Sequence, residues 1–356
     1  MKRREWLSLV LSSGAAFGRP RYGGILRFFP TLPPVDQEPL SRLASSSIVD
    51  VDKRTWRIAL RPYVLQHDGS PLTAAVAAEA LRALVPAWNI TASNWILTVV
   101  TDRVIGNLFA AADPMFRCGP FERVDGPKPL LKAFDLYWDR RPYIDGIEVA
   151  ANPQEADVAE LPLAGARRPR TDTHRLWSTM AVETVVVETP NAAMREALSL
   201  AIDRQSIVKV LLQGRGEAAG GLLPQWASGY SFVFNTQQDL GRARGLLKTA
   251  GPLVLGYAAG DPLARQLADR VAVNARDAGL VLLAKPGKVG DFYLRREGLS
   301  SFSTYEAERA TIEERRLVPI VHIPRLFAIH SRVRGWESAH DGRSAEIHPE
   351  SIWLDS

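Results

Sequence analysis

The stretch Thr55-Trp56-Arg57-Ile58-Ala59-Leu60-Arg61, followed by His67-Asp68-Gly69-Ser70-Pro71-Leu72-Thr73-Ala74, decides the reading of the fold. Its first part alternates apolar and polar residues through most of its length, the period of a half-buried strand. Its second part is turn chemistry, with Asp-Gly and a Pro close behind. Thr73 stands where a hydroxyl caps a helix, and Ala74 to Leu84 is a run of strong helix formers. The spacing therefore predicts a strand, a tight turn and a capped helix.

Working outward, Tyr22 to Phe29 reads as a turn and a short strand that Pro30 to Pro34 end. Asn94 to Thr101, Leu130 to Leu136 and Ile147 to Ala150 are further strands. Ala181 to Glu188 is a strand rich in Val and Thr. Asn191 caps a helix towards Ile202, with Met194, Leu198 and Ala201-Ile202 on one face. Asp203 continues it through Leu211, and Gly214 suits its C-terminal cap. Asp239 to Ala250 is a helix, Leu253 to Tyr257 a strand. Asp261-Pro262 opens a helix to Ala278, which Gly279 stops before the strand Leu280 to Ala284. That alternation predicts a two-layer α/β sheet. Lys285 to Ser303 is polar and contains glycine. Tyr305 to Leu317 is a charged helix, and Ile320 to Ile329 a strand returning to the core.

Composition bounds the class. The chain has 356 residues, 46% hydrophobic and 23% charged. At ~100–200 residues per domain that means two or three domains of ordinary globular composition. Collagen-like, disulfide-scaffold and disordered classes are excluded, and no internal apolar run approaches the ~20 residues of a spanning helix. Net charge is +5, with basic residues scattered apart from clusters such as Arg167-Arg168-Pro169-Arg170, read as a solvated loop. That is no nucleic-acid footprint, and no nucleic-acid partner is expected. Cys118 is the only cysteine, so there is no internal disulfide and no Cys cluster for zinc.

Met1-Lys2-Arg3-Arg4-Glu5-Trp6-Leu7 and the apolar stretch to Phe17 have the charged, apolar, small-residue order of an export signal. Arg3-Arg4-Glu5-Trp6-Leu7 also resembles the twin-arginine signal. Residues 1–18 are therefore expected to be an export signal and the protein periplasmic or extracytoplasmic. No Cys follows the apolar stretch, so lipid anchoring through an N-terminal Cys is not expected.

Catalytic signatures are missing. There is no Gly-x-Ser-x-Gly elbow, His-Glu-x-x-His, Walker loop or dinucleotide fingerprint. His67, His174, His322, His330, His340 and His348 include no pair at the spacing of a helical metal site. No catalytic residue, metal or cofactor is expected.

Four segments, in order, resemble one family, the extracellular solute-binding proteins of peptide- and nickel-type ABC importers (family 5). The strand ending Leu60-Arg61 with His67-Asp68-Gly69-Ser70-Pro71-Leu72-Thr73-Ala74 resembles its signature segment. Cys118-Gly119-Pro120-Phe121 with Tyr137-Trp138-Asp139-Arg140-Arg141-Pro142-Tyr143 to Ile147 resembles its Gly-Pro-Phe and Tyr-Trp pair. Arg195 to Ala201-Ile202-Asp203-Arg204 and Gly214 resembles its Ala-Ile-Asp-Arg helix pair. Val318-Pro319-Ile320-Val321-His322 with Gly335-Trp336 resembles its closing strand. Glu155 to Leu161 is similar to the family's acidic segment.

The resemblance implies an α/β, two-lobed periplasmic binding protein fold, type II and cluster C-like, with a reduced accessory subdomain. Lobe I would comprise residues 19–180 plus 318–356, and lobe II residues 181–317. The hinge would lie near Glu188-Thr189-Pro190 and Leu317-Val318-Pro319, and the stretch before Trp56 would be a brief linker. The implied function is a solute-binding protein of an ABC importer, monomeric, taking a small solute or oligopeptide by hinge closure and delivering it to an inner-membrane permease. The alternative is a degenerate paralogue that keeps the fold as an interaction protein. Peptide binders in this family commonly hold the peptide amine with a Trp and a slightly later Asp in the second lobe. Here Asp291 matches an upstream strand Asp, Arg295-Arg296 stand where the Trp is expected, and the later Tyr-x-Asp element is absent. Arg295 or Arg296 facing the cleft would select an anionic group; the other reading is solvated Arg on a loop. Phe28, Phe29, Thr31 and Tyr293 are further cleft candidates.

Overall fold

A computed structural model describes residues 19–355, apart from 51, 53, 106, 128, 164–172, 228–232, 248–250, 288–289, 300–301, 303, 341 and 345. The expected export signal and the Arg167–Arg170 cluster lie outside the described residues. Among the described residues, no helix is long and apolar enough to cross a membrane.

The chain enters on strand β1 (Ile25–Phe29) and passes into a small subdomain. There β2 (Ala44–Val49), β3 (Thr55–Leu60), β4 (Asn89–Ser93) and β5 (Ile96–Val100) form an antiparallel sheet in the order β2-β3-β5-β4. Helix α1 (Ala74–Leu84) covers it, capped by the Thr73 hydroxyl as expected. Ala77, Ala78 and Leu81 of the helix pack with Trp56, Ile58, Leu97 and Val99 in a core of their own. Two expectations change here. The stretch before Trp56 is no plain linker, because Ala44–Val49 pairs along β3. The strand expected over 94–101 is the second arm of a hairpin that turns at Asn94, whose φ of 52° suits an Asn side chain.

The chain then builds the main sheet with β6 (Phe121–Val124), β7 (Leu130–Ala133), β8 (Gly146–Val149), β9 (Val158–Leu161) and the long β10 (His174–Glu188). After helix α2 (Ala192–Ala201) come β11 (Glu217–Ala218), β12 (Leu253–Tyr257), helix α3 (Pro262–Asp277), β13 (Leu282–Pro286), β14 (Phe292–Gly298), helix α4 (Tyr305–Glu314) and β15 (Leu317–His330). The order across the sheet is β13-β12-β14-β10-β15-β9-β1-β8-β7-β6, with β11 on β15. The expected helix starts hold: Asn191 accepts from the Met194 N–H, and Asp261 from Leu263 and Ala264. β14 lies inside the polar stretch 285–303. Its signal is the alternation of Phe292 and Leu294, both buried, with the partly exposed Tyr293 and Arg295.

β10 and β15 run through the whole sheet and join its two halves. His174–Ser178 pairs with Leu326–His330, and β15 there continues to β9. Ala181–Glu188 pairs with Leu317–Pro324, flanked by β14 and β11. Between them the ladder shifts register, at Ser178/Ala181 and again at Ala181/Glu183. Pro324 has no N–H to give and sits at this break. The backbone groups that leave the ladder find other partners. The Arg325 N–H donates to Thr179 Oγ1 at 2.8 Å, Met180 N–H to the Gly342 carbonyl at 2.7 Å, and Trp226 Nε1–H to the Ala181 carbonyl at 2.8 Å.

Two of the ladder's three register shifts thus fall at residues 178–183 opposite 323–326, and the third, at Val185/Val186, lies opposite Val321 and Pro319. The stretches Glu188-Thr189-Pro190 and Leu317-Val318-Pro319 sit at the far end of the paired segment, where Glu188 faces Leu317. Val318, Ile320, Val321 and Ile323 lie in one core cluster with Leu255, Leu267 and Phe292, which also takes in Ala159, Leu161, Leu326 and Ala328. Phe327 and Ile329 lie in the first-half core with Leu26 and Trp336.

Candidate functional site

In open α/β sheets ligands bind beyond the carboxyl ends of the strands. β1 and β9 are parallel and end at Phe29 and Leu161 in the first half. β12 and β14 are parallel in the second, and the end of β14, Gly298, lies opposite Glu183 at the break in β10. The ends of β9 and β14 thus come to the crossing.

A line of alternating charges runs across it. Arg325 of β15 grips Glu160 of β9 with two hydrogen bonds, Nε to Oε1 at 2.9 Å and Nη2 to Oε2 at 2.6 Å. Arg296 of β14 reaches Glu183 of β10 at 3.5 Å and donates to Asp261, the cap of α3, at 2.9 Å. Burial pushes the Glu183 carboxyl up from its ordinary value, opposed by Arg296 and Arg325. On the second-half side of the crossing, Thr184 Oγ1 lies 2.8 Å from His322 Nδ1, and burial lowers the His322 imidazole to about 4.

Beside Arg325 a cavity of about 540 Å³ opens between the end of β1, the segment 31–42 and the C-terminal stretch 346–350. Its apolar wall includes Phe28, Pro33, Val35 and Ile347. Five carboxylates line it, from Glu38, Asp113, Glu160, Glu346 and Glu350, against the guanidiniums of Arg42 and Arg325. Glu38 is fully buried. Its backbone is held by a short ladder to Met115–Phe116. The Tyr137 hydroxyl donates to Glu38 Oε1 at 2.6 Å, and Arg42 Nη1 donates to the same atom at 3.0 Å. Burial pushes the Glu38 carboxyl up despite both partners, and it pushes the Tyr137 hydroxyl up as well. Asp113 is taken by Ser41, whose N–H donates at 2.9 Å and hydroxyl at 2.5 Å. Gly119 explains one family motif: a Cβ there would lie 2.4 Å from the Val35 carbonyl oxygen, so only glycine lets 35–37 lie against it.

A second cavity, about 570 Å³, sits at the crossing itself, lined by Ser178, Thr179, Met180, Glu217, Trp226 and Pro324.

Of the expected residues, the structure brings Phe28 and Thr31 to the first cavity. Phe29, the next residue along β1, turns to the other face and packs against the core cluster that holds Ala150, Ala159 and Leu161. Tyr293, Arg295 and Arg296 are all on β14. Tyr293 faces Glu188, at the end of the ladder far from the crossing. Arg295 and Arg296 are neighbours on a strand and project to opposite faces. Arg295 meets Glu188 at 3.4 Å and Glu297 at 3.0 Å, while Arg296 is committed to Asp261 and Glu183. Asp291 accepts the Val254 N–H at 2.9 Å and so holds the start of β12. Sequence reasoning missed Glu38, Arg42, Glu160, Arg325 and Glu350. The i, i+4 spacing of Glu38 and Arg42 was the one local signal; the others meet only through the fold.

Comparison with known proteins adds to this geometry. The model of bacterial extracellular solute-binding proteins, family 5, middle part, matches residues 179–281. The dipeptide-binding protein of Escherichia coli (strain K12) is 28% identical over 216 residues, covering 50% of this chain and 40% of that protein. This alignment thus spans well under half the length of the curated relative. Among solved structures, the oligopeptide-binding protein AppA of Bacillus subtilis, in complex with a nonapeptide, superposes with a TM-score of 0.75 at 14% identity, over 95% of this chain and 100% of that chain. NikA of Staphylococcus aureus, in complex with Ni(L-His)2, gives 0.69 at 16% identity, over 95% and 98%. DppA of Helicobacter pylori, in complex with the peptide STSA, gives 0.70 at 12% identity, over 95% and 99%. The resemblance read from the sequence is thus found again by independent routes: the chain carries the family 5 solute-binding signature in its middle part and the type II periplasmic binding protein fold along nearly all of its described length.

Proposed function

We propose that this protein is the extracytoplasmic solute-binding component of an ABC importer, taking a peptide or a related small solute between two lobes. The observation that carries the reading is the pair of long strands, β10 and β15, that cross from one half of the sheet to the other with their ladder broken at 178–183 and 323–326. Lobe I then comprises residues 19 to about 180 and the chain from about 325 onward; lobe II lies between. The broken ladder is the hinge, since a bulged segment with few cross-strand bonds is the easiest to bend. Closure brings the Glu160–Arg325 pair towards the Arg296–Asp261 pair and buries solute between them. The closed form is what a membrane permease would recognise, so the solute must bind it better than the open form.

The proteins matched by family and by fold are binding proteins, and the reading assigns this chain no catalysis. Formed cavities with converging polar groups at the crossing count against a paralogue that has lost its cleft. Mass spectrometry of small molecules released from protein purified without added ligand tests the proposal. A peptide or small solute at near-stoichiometric yield supports it. A protein that releases nothing and binds no member of a di- and tripeptide mixture in calorimetry overturns it.

A further inference from the structure

The cavity beside Arg325 carries more negative charge than its own cations balance. Arg42 forks between two buried carboxylates: Nη1 lies 3.0 Å from Glu38 Oε1 and Nη2 lies 3.5 Å from Glu350 Oε1. One guanidinium therefore serves two carboxylates, in a chain whose net charge is +5. The second oxygens, Glu38 Oε2 and Glu350 Oε2, are buried and have no hydrogen-bond partner. Glu38 is 0% exposed and Glu350 7%, and both line the cavity. His348 Nδ1 stands 3.6 Å from Glu350 Oε1 and brings a further positive charge only when protonated. A buried carboxylate oxygen without a donor is costly, so such a site is built to be completed by a donor from outside.

The chemistry of that donor can be read from the walls. It must be positive and carry N–H groups, because the vacant atoms are acceptors. It must also carry an aliphatic stem, because Phe28, Pro33, Val35, Met115 and Ile347 surround the carboxylates. Among the described residues, no group of three or more His, Cys, Asp or Glu is arranged to hold a metal ion. An ammonium or guanidinium at the end of a flexible chain needs no such convergence.

We propose that this cavity binds an organic cation, a primary ammonium or guanidinium on an aliphatic stem, with Glu38 and Glu350 as its counter-ions and Glu346 at the rim. The proposal deepens the solute-binding reading and rests on it. Two sources fit the chemistry, a lysine or arginine side chain of a peptide and a free diamine.

Calorimetry at pH 8 tests it on the full protein. The probes are Ala-Lys-Ala, Ala-Arg-Ala, Ala-Leu-Ala, Ala-Glu-Ala, 1,5-diaminopentane, and Ni²⁺ and Mg²⁺ chlorides. The cationic tripeptides are expected to bind at least about tenfold tighter than the leucyl and glutamyl ones, a gap of about 1.4 kcal/mol. The double variant Glu38→Gln, Glu350→Gln keeps the shape and is expected to bring lysyl and leucyl peptides level. Glu346→Gln alters only an exposed rim side chain and is expected to weaken the lysyl peptide a few-fold. It keeps the test decisive if the double variant unfolds. Equal affinities for all four tripeptides overturn the cation site and leave solute capture standing. Diaminopentane binding with no tripeptide bound leaves the cation site standing and overturns peptide capture. Tighter binding of Ni²⁺ or Mg²⁺ than of any ammonium, or a preference that survives the variants, overturns the proposal.

Discussion

The two halves of the molecule treat charge in opposite ways. On β14 of the second half, Arg295 and Arg296 each meet two carboxylates, and Arg315 pairs with Glu297 as well. In the first half, Glu38 and Glu350 share Arg42 and keep an oxygen each without a donor. The charges most visible in the sequence are the ones already neutralised. Those left open are two glutamates that stand far apart in the chain. A charge in a sequence is available for ligand only when the fold leaves it unpaired, and the open oxygens here are those of Glu38 and Glu350.

That contrast can be broken at several points. The largest effect is expected from Gly119→Ala. Its Cβ would press into the backbone of Val35 and Asp36, close in the chain to Glu38. Overpacking of this kind costs about 3 kcal/mol, read as a lowered urea midpoint, and it should displace the carboxylate as well. Next comes Glu160→Ala. It strips Arg325 of two charged hydrogen bonds in a half-buried place, and a loss of about 2 kcal/mol is expected.

Glu38→Gln acts through pH. Burial raises the folded carboxyl above its ordinary 4.5, so the folded state holds this proton longer than the unfolded chain. The stability it contributes is complete below pH 4.5 and is lost as pH rises through the raised value, at no more than about 1.4 kcal/mol per pH unit. The variant has no such limb. Urea midpoints from pH 4 to 8 should therefore fall less steeply in the variant, with Asp113 and Glu183, raised for the same reason, keeping part of the slope. An unchanged slope would mean that Glu38 is not strained in the empty protein.

The smallest effect is expected from Arg296→Met. Its pairs are partly solvated and salt bridges of that kind are worth at most about 1 kcal/mol. A drop as large as that of Glu160→Ala would erase the asymmetry between the halves.

Much of the fold was legible because its signals are local. Asp261-Pro262 opened α3, Asn191 capped α2, and Leu253–Tyr257 was read with its observed ends. β14 was hidden by its own charges, since Arg295, Arg296 and Glu297 break the apolar run between Leu294 and Gly298. The irregular ladder was hidden for a different reason. Nothing in Ser178-Thr179-Met180-Ala181 marks a boundary until β15 is laid beside it and Pro324 interrupts the ladder. The cavity was the least legible part. Glu38, Tyr137 and Glu350 come together from stretches about 100 and 200 residues apart in the chain, and no local spacing reports that meeting.

The central claim is that the two halves close about the broken ladder when solute binds. Small-angle X-ray scattering titrated with Ala-Lys-Ala, alongside calorimetry on the same samples, tests it most directly. The account predicts a radius of gyration that shrinks in step with binding and levels off at one peptide per chain. A peptide that binds while the radius stays constant would contradict it.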